Sequence, residues 1–245
     1  EKAPRDLHDR VPVIEEILSA LGICCLRRDG FEADDLIATL ASRSRLEDRE
    51  CYILSGDKDL LQLVGDGVFV LHPPKGAEDF TVLDRDGVYA VRSVYPEQII
   101  DYLALTGDQS DNVPGVAGVG DKTAVKLLSE YEDLDRLYNR LEELKPAGVK
   151  KKLEEGRGNA FLSRELVTLR SDVPLDIGVE DLRMRLTEEN RKAAISLFAD
   201  QDMSRMVEEL GGSFEEQKET DQLKPGIYET ILSTEDLQRW LAEVR

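Results

Sequence analysis

Carboxylates recur in three short clusters, and each cluster falls beside a predicted structural boundary. The clusters read Glu32-Ala33-Asp34-Asp35, Asp57-Lys58-Asp59 and Asp108-Gln109-Ser110-Asp111-Asn112. Together they offer seven carboxylates, namely Glu32, Asp34, Asp35, Asp57, Asp59, Asp108 and Asp111. If these groups converge, repulsion raises several pKa values unless divalent cations such as Mg²⁺ bind between them. Two such ions roughly 4 Å apart would clamp the attacking and leaving oxygens of a phosphodiester displacement.

The first two clusters also have simpler interpretations. Carboxylates in the first turn of a helix stabilise its dipole, and for Glu32 to Asp35 taken alone this is the favoured explanation. Asp57-Lys58-Asp59 is compatible with an ordinary polar turn. Its place after a strand favours a ligand site, because open α/β sheets bind ligands at the carboxyl ends of their strands.

A glycine-rich stretch, PGVAGVGDKTA, follows the third cluster. Its G-x-x-G-x-G order departs from the dinucleotide-binding fingerprint, and it follows a helix and a turn, so a Rossmann site is excluded. In a hairpin between two helices, Gly115, Gly118 and Gly120 would let backbone N–H groups approach a phosphate at a helix N-terminus. Lys122 and Thr123 would add contacts. The stretch therefore predicts sequence-independent backbone binding, with a plain glycine-rich connection as the alternative.

The elements that carry these residues follow from hydrophobic spacing. The pattern predicts helices over residues 14–21, 34–46 and 60–63, and strands over residues 23–26, 51–54 and 68–71. Cys24 and Cys25 would then be core residues of a strand. Alternating strands and helices indicate an α/β layer with a mostly parallel sheet over residues 1–94.

From about Tyr95 onward the apolar spacing is helical. Pro96 suits the first position of a helix, and Leu134, Leu137, Tyr138, Leu141 and Leu144 form one amphipathic stripe. Residues 95–210 are therefore predicted as an all-helical second unit. Residues 211–226 have the composition of a linker, and residues 227–245 give one strand and one helix, the start of a further domain.

Composition limits the function classes. The 245 residues include 32 basic and 51 acidic residues, a formal net charge of −19, with two histidines and three cysteines. Histidine-rich metal sites, histidine-based triads and a disulfide framework are thereby disfavoured, and a reducing, cytoplasmic location fits. No apolar run approaches the ~18 residues of a membrane span. The acidity argues against a basic nucleic-acid face unless clustered carboxylates hold cations.

Four long motifs make a family resemblance specific. "FEADDLIATLA", "ILSGDKDLLQLV", "LTGDQSDNVPGVAGVGDKTAVKLL" and "ELVTLRSDVPL" resemble the 5′-nuclease domain of bacterial DNA polymerase I, in the flap endonuclease superfamily. The resemblance covers about residues 6–210, and residues 227–245 resemble the start of the 3′–5′ exonuclease-like domain. It implies a PIN-like α/β half with a metal site and a SAM-like helical half with a helix-hairpin-helix element.

The resemblance also implies roles. Asp34, Asp35, Asp57, Asp59, Asp108 and Asp111 match the family's catalytic, metal-binding aspartates, and Glu32 matches a further ligand, for two Mg²⁺ or Mn²⁺ ions. The loop from Gly115 to Gly120 matches the element that grips duplex DNA, whose carbonyls hold K⁺ in relatives. The implied substrates are 5′-flap, nicked or RNA-primed duplexes in replication and repair. The polymerase domains of the same chain are implied partners, in the bacterial cytoplasm with the nucleoid and away from membranes.

One departure qualifies these expectations. The family begins with an aspartate-bearing strand and a basic helical arch, and nothing in this sequence matches either. We therefore expect a fragment that cleaves poorly or not at all on its own. Two alternatives stay open: a non-catalytic duplex-binding module that uses only the hairpin, and a PIN-type ribonuclease, against which the helical half with its hairpin speaks.

Overall fold

The computed structural model describes residues 5–73 and 79–212. They form two compact units: residues 26–181 make the larger, and residues 5–25 with 182–212 the smaller. The predicted boundary at 94/95 lies inside the larger unit and stays a prediction. The predicted third domain, residues 227–245, and all but two residues of the predicted linker lie outside the described residues.

A three-stranded mixed sheet lies in the larger unit. It consists of β1 (Cys51–Leu54), β2 (Val68–His72) and β3 (Thr81–Leu83), in the order β1-β2-β3. β1 and β2 are parallel, with Tyr52 opposite Phe69, and β3 is antiparallel to β2. The first two strands match the prediction. Sequence reasoning missed β3, because its three residues are too few to show alternation and only Leu83 is buried.

The strand predicted over residues 23–26 is wrong. This segment has no regular structure, and Ile23, Cys24 and Cys25 are exposed. An apolar run favours burial but cannot by itself supply the hydrogen-bonding partner that a strand requires. Among the described residues, no strand pairs with this segment.

Helices make up most of both units. They are α1 (Arg5–Ala20), α2 (Ala33–Leu46), α3 (Arg85–Arg92), α4 (Ile99–Thr106), α5 (Asp121–Tyr131), α6 (Leu134–Asn139), α7 (Ala147–Val167), α8 (Glu188–Asp200) and α9 (Ser204–Glu209). Short 3₁₀ turns occur at Asp59–Leu63, Pro96–Gln98, Leu141–Glu143 and Val179–Leu182. The stripe predicted over residues 134–144 is divided between α6 and a 3₁₀ turn, and all five of its apolar residues are buried. No helix in the described parts of the chain is long and apolar enough to cross a membrane.

One hydrophobic core joins the sheet and the helices of the larger unit. Val68 and Val70 of β2 belong to the same buried cluster as Leu103 of α4 and Leu153 of α7. The acidic clusters that follow β1 and α4 are therefore carried by elements packed on one core. The smaller unit has its own core, in which Ile17 of α1 packs with Ala194, Ile195, Phe198, Ala199 and Val207.

Candidate metal centre and nucleic-acid interface

The second acidic cluster lies where β1 ends, on a loop held by its own side chains. The Asp57 N–H donates to Ser55 Oγ over 3.0 Å, and the Asp59 N–H donates to Asp57 Oδ1, also over 3.0 Å. Asp59 then begins the first 3₁₀ turn. The chain has left the strand at this point. The local bonds between side chains and backbone take the place of strand hydrogen bonds and fix the positions of Asp57 and Asp59.

The third cluster follows α4 on a tight turn. The backbones of Asp108 and Val113 exchange two hydrogen bonds of 2.9 and 2.7 Å. Asp108 Oδ1 also accepts the Ser110 N–H over 2.9 Å, and the Asp108 side chain is only 7% exposed. The turn leaves Asp111 exposed at its tip.

The two clusters converge. Carboxylate oxygens of Asp59, Asp108 and Asp111 lie within 4.8 Å of one another, and Asp57 lines the same cleft as Asp108 and Asp111. Asp59 Oδ1 is buried and has no hydrogen-bond partner among the described residues. An unsatisfied buried oxygen is costly unless a cation or another donor occupies the space in front of it. The arrangement therefore fits a divalent cation, since every available donor is an oxygen of the kind that Mg²⁺ and Mn²⁺ prefer.

Electrostatics agree with this crowding. Burial raises the pKa of Asp59 to about 6, and the charge of Asp57 adds to that effect. Burial and then the charge of Asp108 raise the pKa of Asp111. For Asp108 burial acts upward, but the hydrogen bonds from Lys58 and Ser110 together with the charge of Lys58 outweigh it, so the pKa of Asp108 is lowered. Lys58 Nζ lies 2.8 Å from Asp108 Oδ2 and partly neutralises the cluster.

The first cluster is divided between two tasks. Burial raises the pKa of Asp34, and the next cause is the charge of Asp57, so Asp34 lies within electrostatic reach of the second cluster. Asp35 instead accepts the Arg170 N–H over 2.9 Å and the Glu32 N–H over 3.4 Å. Glu32 is the exposed N-cap residue of α2. Asp35 and Glu32 thus stabilise the helix start, as the simpler interpretation expects, while Asp34 lies close enough to Asp57 to respond to its charge.

The "ELVTLRSDVPL" segment contributes no carboxylate to the site, but it contacts both the Asp59 turn and α2. Gln62 Nε2 donates to the carbonyls of Asp59 and Val167, each over 2.9 Å, and Gln62 Oε1 accepts the Leu169 N–H. Further along, the Val173 N–H donates to Thr39 Oγ1 of α2 over 3.1 Å. The "ELVTLRSDVPL" motif therefore positions the Asp59 turn and α2 relative to each other.

The glycine-rich stretch connects α4 to α5, and its glycines have different tasks. Gly115 has φ +60°, and a Cβ there would lie 2.4 Å from the Gly107 backbone nitrogen. Its N–H donates to the buried Ser163 hydroxyl over 2.9 Å. The Gly115 amide is therefore used inside the protein, which differs from its predicted place on the phosphate-binding surface.

Gly118 and Gly120 are exposed, as is Lys122, while Thr123 is half-buried. Gly120 is the N-cap of α5, and the first N–H groups of a helix have no carbonyl partner within it. Apart from its two chain neighbours, no atom of the described residues lies within 4 Å of a Cβ placed on Gly120, so the approach to these N–H groups is open there. Lys152 Nζ donates to the Gly118 carbonyl over 2.9 Å.

Sequence reasoning missed two cations near the acidic cluster. Lys58 lies between two of the predicted ligands in the sequence, which is a signal for it. Arg92 lines the acidic cleft. It comes from a distant helix, and nothing in its local sequence indicates this position.

Comparisons with known proteins agree on one family. Residues 1–92 match the family described as "5′-3′ exonuclease, N-terminal resolvase-like domain", and residues 94–192 match "5′-3′ exonuclease, C-terminal SAM fold". DNA polymerase I of Bacillus subtilis is 37% identical over 231 residues, which are 94% of this chain and 26% of that protein. DNA polymerase I of Treponema pallidum is 48% identical over 181 residues, 74% of this chain and 18% of that protein.

Solved structures share the fold. The catalytic core of Rad2 in complex with DNA substrate has a TM-score of 0.57 at 16% identity, over 89% of this chain and 69% of that one. The T5 D15 protein co-crystallised with metal ions has a TM-score of 0.51 at 19% identity, over 76% of this chain and 62% of that one.

The chain spans about a quarter of the length of the B. subtilis polymerase and less of the T. pallidum one. It belongs to the 5′–3′ exonuclease family, as the 5′-nuclease domain that DNA polymerase I carries.

Proposed function

We propose that this chain is a divalent-metal-dependent nuclease module. It would hydrolyse phosphodiesters near the 5′ ends of DNA, as the 5′–3′ exonuclease and 5′-flap endonuclease of a DNA polymerase I. The observation that carries the proposal is the buried Asp59 Oδ1, which lies among the carboxylates of Asp108 and Asp111 and has no hydrogen-bond partner in the described part of the chain. Membership of the exonuclease family supports the reaction class. Primer removal and repair beside the nucleoid, in cooperation with polymerase domains of the same chain, belong to the same proposal.

The carboxylates have distinct proposed roles. Asp59, Asp108 and Asp111 would hold one divalent ion, while Asp34 and Asp57 are available to a second. Such ions supply charge neutralisation at the phosphate and a more acidic water nucleophile. Glu32 and Asp35 would act by fixing the start of α2, consistent with their hydrogen bonds.

Other residues of the chain position the reacting groups. Gln62 holds the Asp59 carbonyl, and with it the orientation of the Asp59 carboxylate. Lys58 neutralises part of the acidic charge through Asp108 and so reduces repulsion of an incoming phosphate. Placement of this kind contributes to rate because the carboxylates need no rearrangement when the substrate binds.

The hairpin is the proposed DNA-binding element. Open N–H groups at Gly120 and the start of α5 would accept a backbone phosphate, with Lys122 and Thr123 beside them. Gly118 would contribute by leaving room for the Lys152 ammonium, which would lie 2.9 Å from a Cβ there, whereas Gly115 would act only by shaping the turn. The carbonyl of Gly118 already accepts a cationic donor, Lys152, which supports the proposal that this turn attracts a cation such as K⁺. These contacts carry no sequence information and suit flap, nicked or RNA-primed duplexes alike.

Metal binding and cleavage test the proposal separately. We expect Mg²⁺ or Mn²⁺ titrations to give calorimetric heats with the chain, and Asp108→Asn to lose most of them. Asp86→Asn, which removes an exposed carboxylate on α3, is the matched control and should bind as the parent does. Unchanged metal binding by Asp108→Asn would overturn the assignment of the metal centre.

Cleavage of a labelled 5′-flap duplex by the polymerase that contains this domain should need Mg²⁺ or Mn²⁺ and stop in Asp108→Asn. Retained cleavage in that variant would refute the nuclease role. Poor cleavage by these 245 residues alone stays a prediction, and the same assay applied to the chain tests it.

A further inference from the structure

Two cations line the acidic cleft together with its carboxylates. Lys58 and Arg92 line the same cleft as Asp57, Asp108 and Asp111. The cleft adjoins a hollow of about 290 Å³, which is also lined by Ser55, Gly56, Lys58 and Arg92. A metal centre alone accounts for the carboxylates but not for a guanidinium placed beside them.

Arg92 is the last residue of α3, and its side chain is half-buried. Within the described parts of the chain, Arg92 makes no ion pair and no side-chain hydrogen bond. Arg85, at the other end of α3, is fully engaged: it pairs with Glu97 at 2.6 Å and lies 3.7 Å from the Tyr95 ring centroid. A partly desolvated guanidinium with five donors and no acceptor has the capacity to bind an anion.

We propose that Arg92, with Lys58 and the Ser55 hydroxyl, forms a phosphate-binding subsite beside the metal centre. This inference rests on the proposed function, because the phosphate belongs to the DNA strand that is cut. The planar guanidinium fork matches two phosphate oxygens. Ser55 Oγ accepts the Asp57 N–H, which leaves its own hydrogen free to be donated to a phosphate oxygen. Gly56 adds no side chain to the hollow, and among the described residues the nearest atom to a Cβ placed there is Pro73 Cδ at 3.9 Å.

The subsite also gives the cleft a way to accept a polyanion. Arg92 and Lys58 offset two of the negative charges of Asp57, Asp108 and Asp111 at the point where the phosphate would enter. The bound group is a phosphate oxyanion, either a 5′-terminal phosphate or an internal phosphodiester.

Binding of a single-stranded oligonucleotide tests the proposal without depending on cleavage. Fluorescence anisotropy would follow a 3′-labelled strand that carries either a 5′-phosphate or a 5′-hydroxyl, in EDTA and in Ca²⁺. We expect Arg92→Gln to weaken binding of the phosphorylated strand about five- to tenfold, as for the loss of one charge-assisted contact. The slope of log K against log salt should become shallower by ~0.7, the contribution of one phosphate contact on a single strand.

Arg85→Gln is the control, because it removes the same charge from the same helix and should leave the salt slope unchanged. Arg92→Lys should restore most of the slope, which a merely structural role of Arg92 would not predict. A loss confined to the phosphorylated strand assigns the subsite to the terminal phosphate, and an equal loss on both strands assigns it to an internal phosphodiester. Parental affinity and slope in Arg92→Gln, on both strands, would overturn the subsite. Failure of the nuclease proposal would instead appear as retained cleavage in Asp108→Asn, which this measurement does not involve.

Discussion

Replacing Asp59 by Asn tests whether the ionised Asp59 carboxylate destabilises the folded protein when no metal is bound. The pKa of Asp59 is about 6, against an ordinary value of 3.8. The difference of about two units corresponds to ~3 kcal/mol at ~1.4 kcal/mol per unit. Because the group is only about half-buried, solvent screening lowers the expected effect to about 1 kcal/mol.

The direction of this stability change follows from proton binding. The folded protein binds the Asp59 proton more tightly than the unfolded chain, so its contribution to stability is present below pH 3.8 and is lost as pH rises through about 6. Asn cannot ionise, and Asp59 Oδ1 has no hydrogen bond to any described residue that the substitution would break. In EDTA at pH 7.5 we therefore expect Asp59→Asn to raise the free energy of unfolding by about 1 kcal/mol. The gain should shrink as the pH is lowered toward 4.

Urea unfolding followed by circular dichroism gives the free energy of unfolding of the parent and of Asp59→Asn, with and without Mg²⁺. At a Mg²⁺ concentration tenfold above Kd the parent should gain ~1.4 kcal/mol, whereas Asp59→Asn should gain much less. The exposed Asp86→Asn serves as a control: it should lose only ~0.5 kcal/mol, because Asp86 lies in the first turn of α3, and it should gain as much stability from Mg²⁺ as the parent does. A destabilised Asp59→Asn in EDTA at pH 7.5, or an equal Mg²⁺ gain, would refute the reasoning.

Four further substitutions separate structure from function. Gly115→Ala should cost at least ~2 kcal/mol of unfolding free energy in a urea titration, because a Cβ at φ +60° meets backbone 2.4 Å away, whereas Gly120→Ala should cost less than ~1 kcal/mol. Gln62→Leu should lower Mg²⁺ affinity in calorimetry, because it frees the Asp59 backbone; equal affinity would contradict its positioning role. Lys122→Gln should weaken duplex binding equally for all sequences and reduce the salt slope by ~0.9, and a sequence-dependent loss would argue against a phosphate contact.

The sequence by itself determined much of the site. The three acidic clusters lie at a helix start, after a strand and after a helix, as their spacing predicts. Local hydrophobic periodicity is sufficient for this, because it reports which face of an element is buried. The long motifs identified the family, which the comparisons confirm.

The tertiary structure decided which residues of each motif are engaged in hydrogen bonds within the fold. Asp34 and Asp35 are neighbours of the same type, yet Asp35 is taken up by the Arg170 N–H, which lies 135 residues away along the chain. Gly115 is likewise separated from Gly118 by its bond to Ser163.

Long-range packing also decided two features that the local pattern did not predict correctly: the structure of residues 23–26 and the position of Arg92. The apolar run at residues 23–26 is not a strand, because no described strand pairs with it. Arg92 reaches the acidic cleft only through the docking of α3 beside the sheet. Contacts of this kind depend on where distant segments meet, and no local pattern of residue types encodes that meeting point.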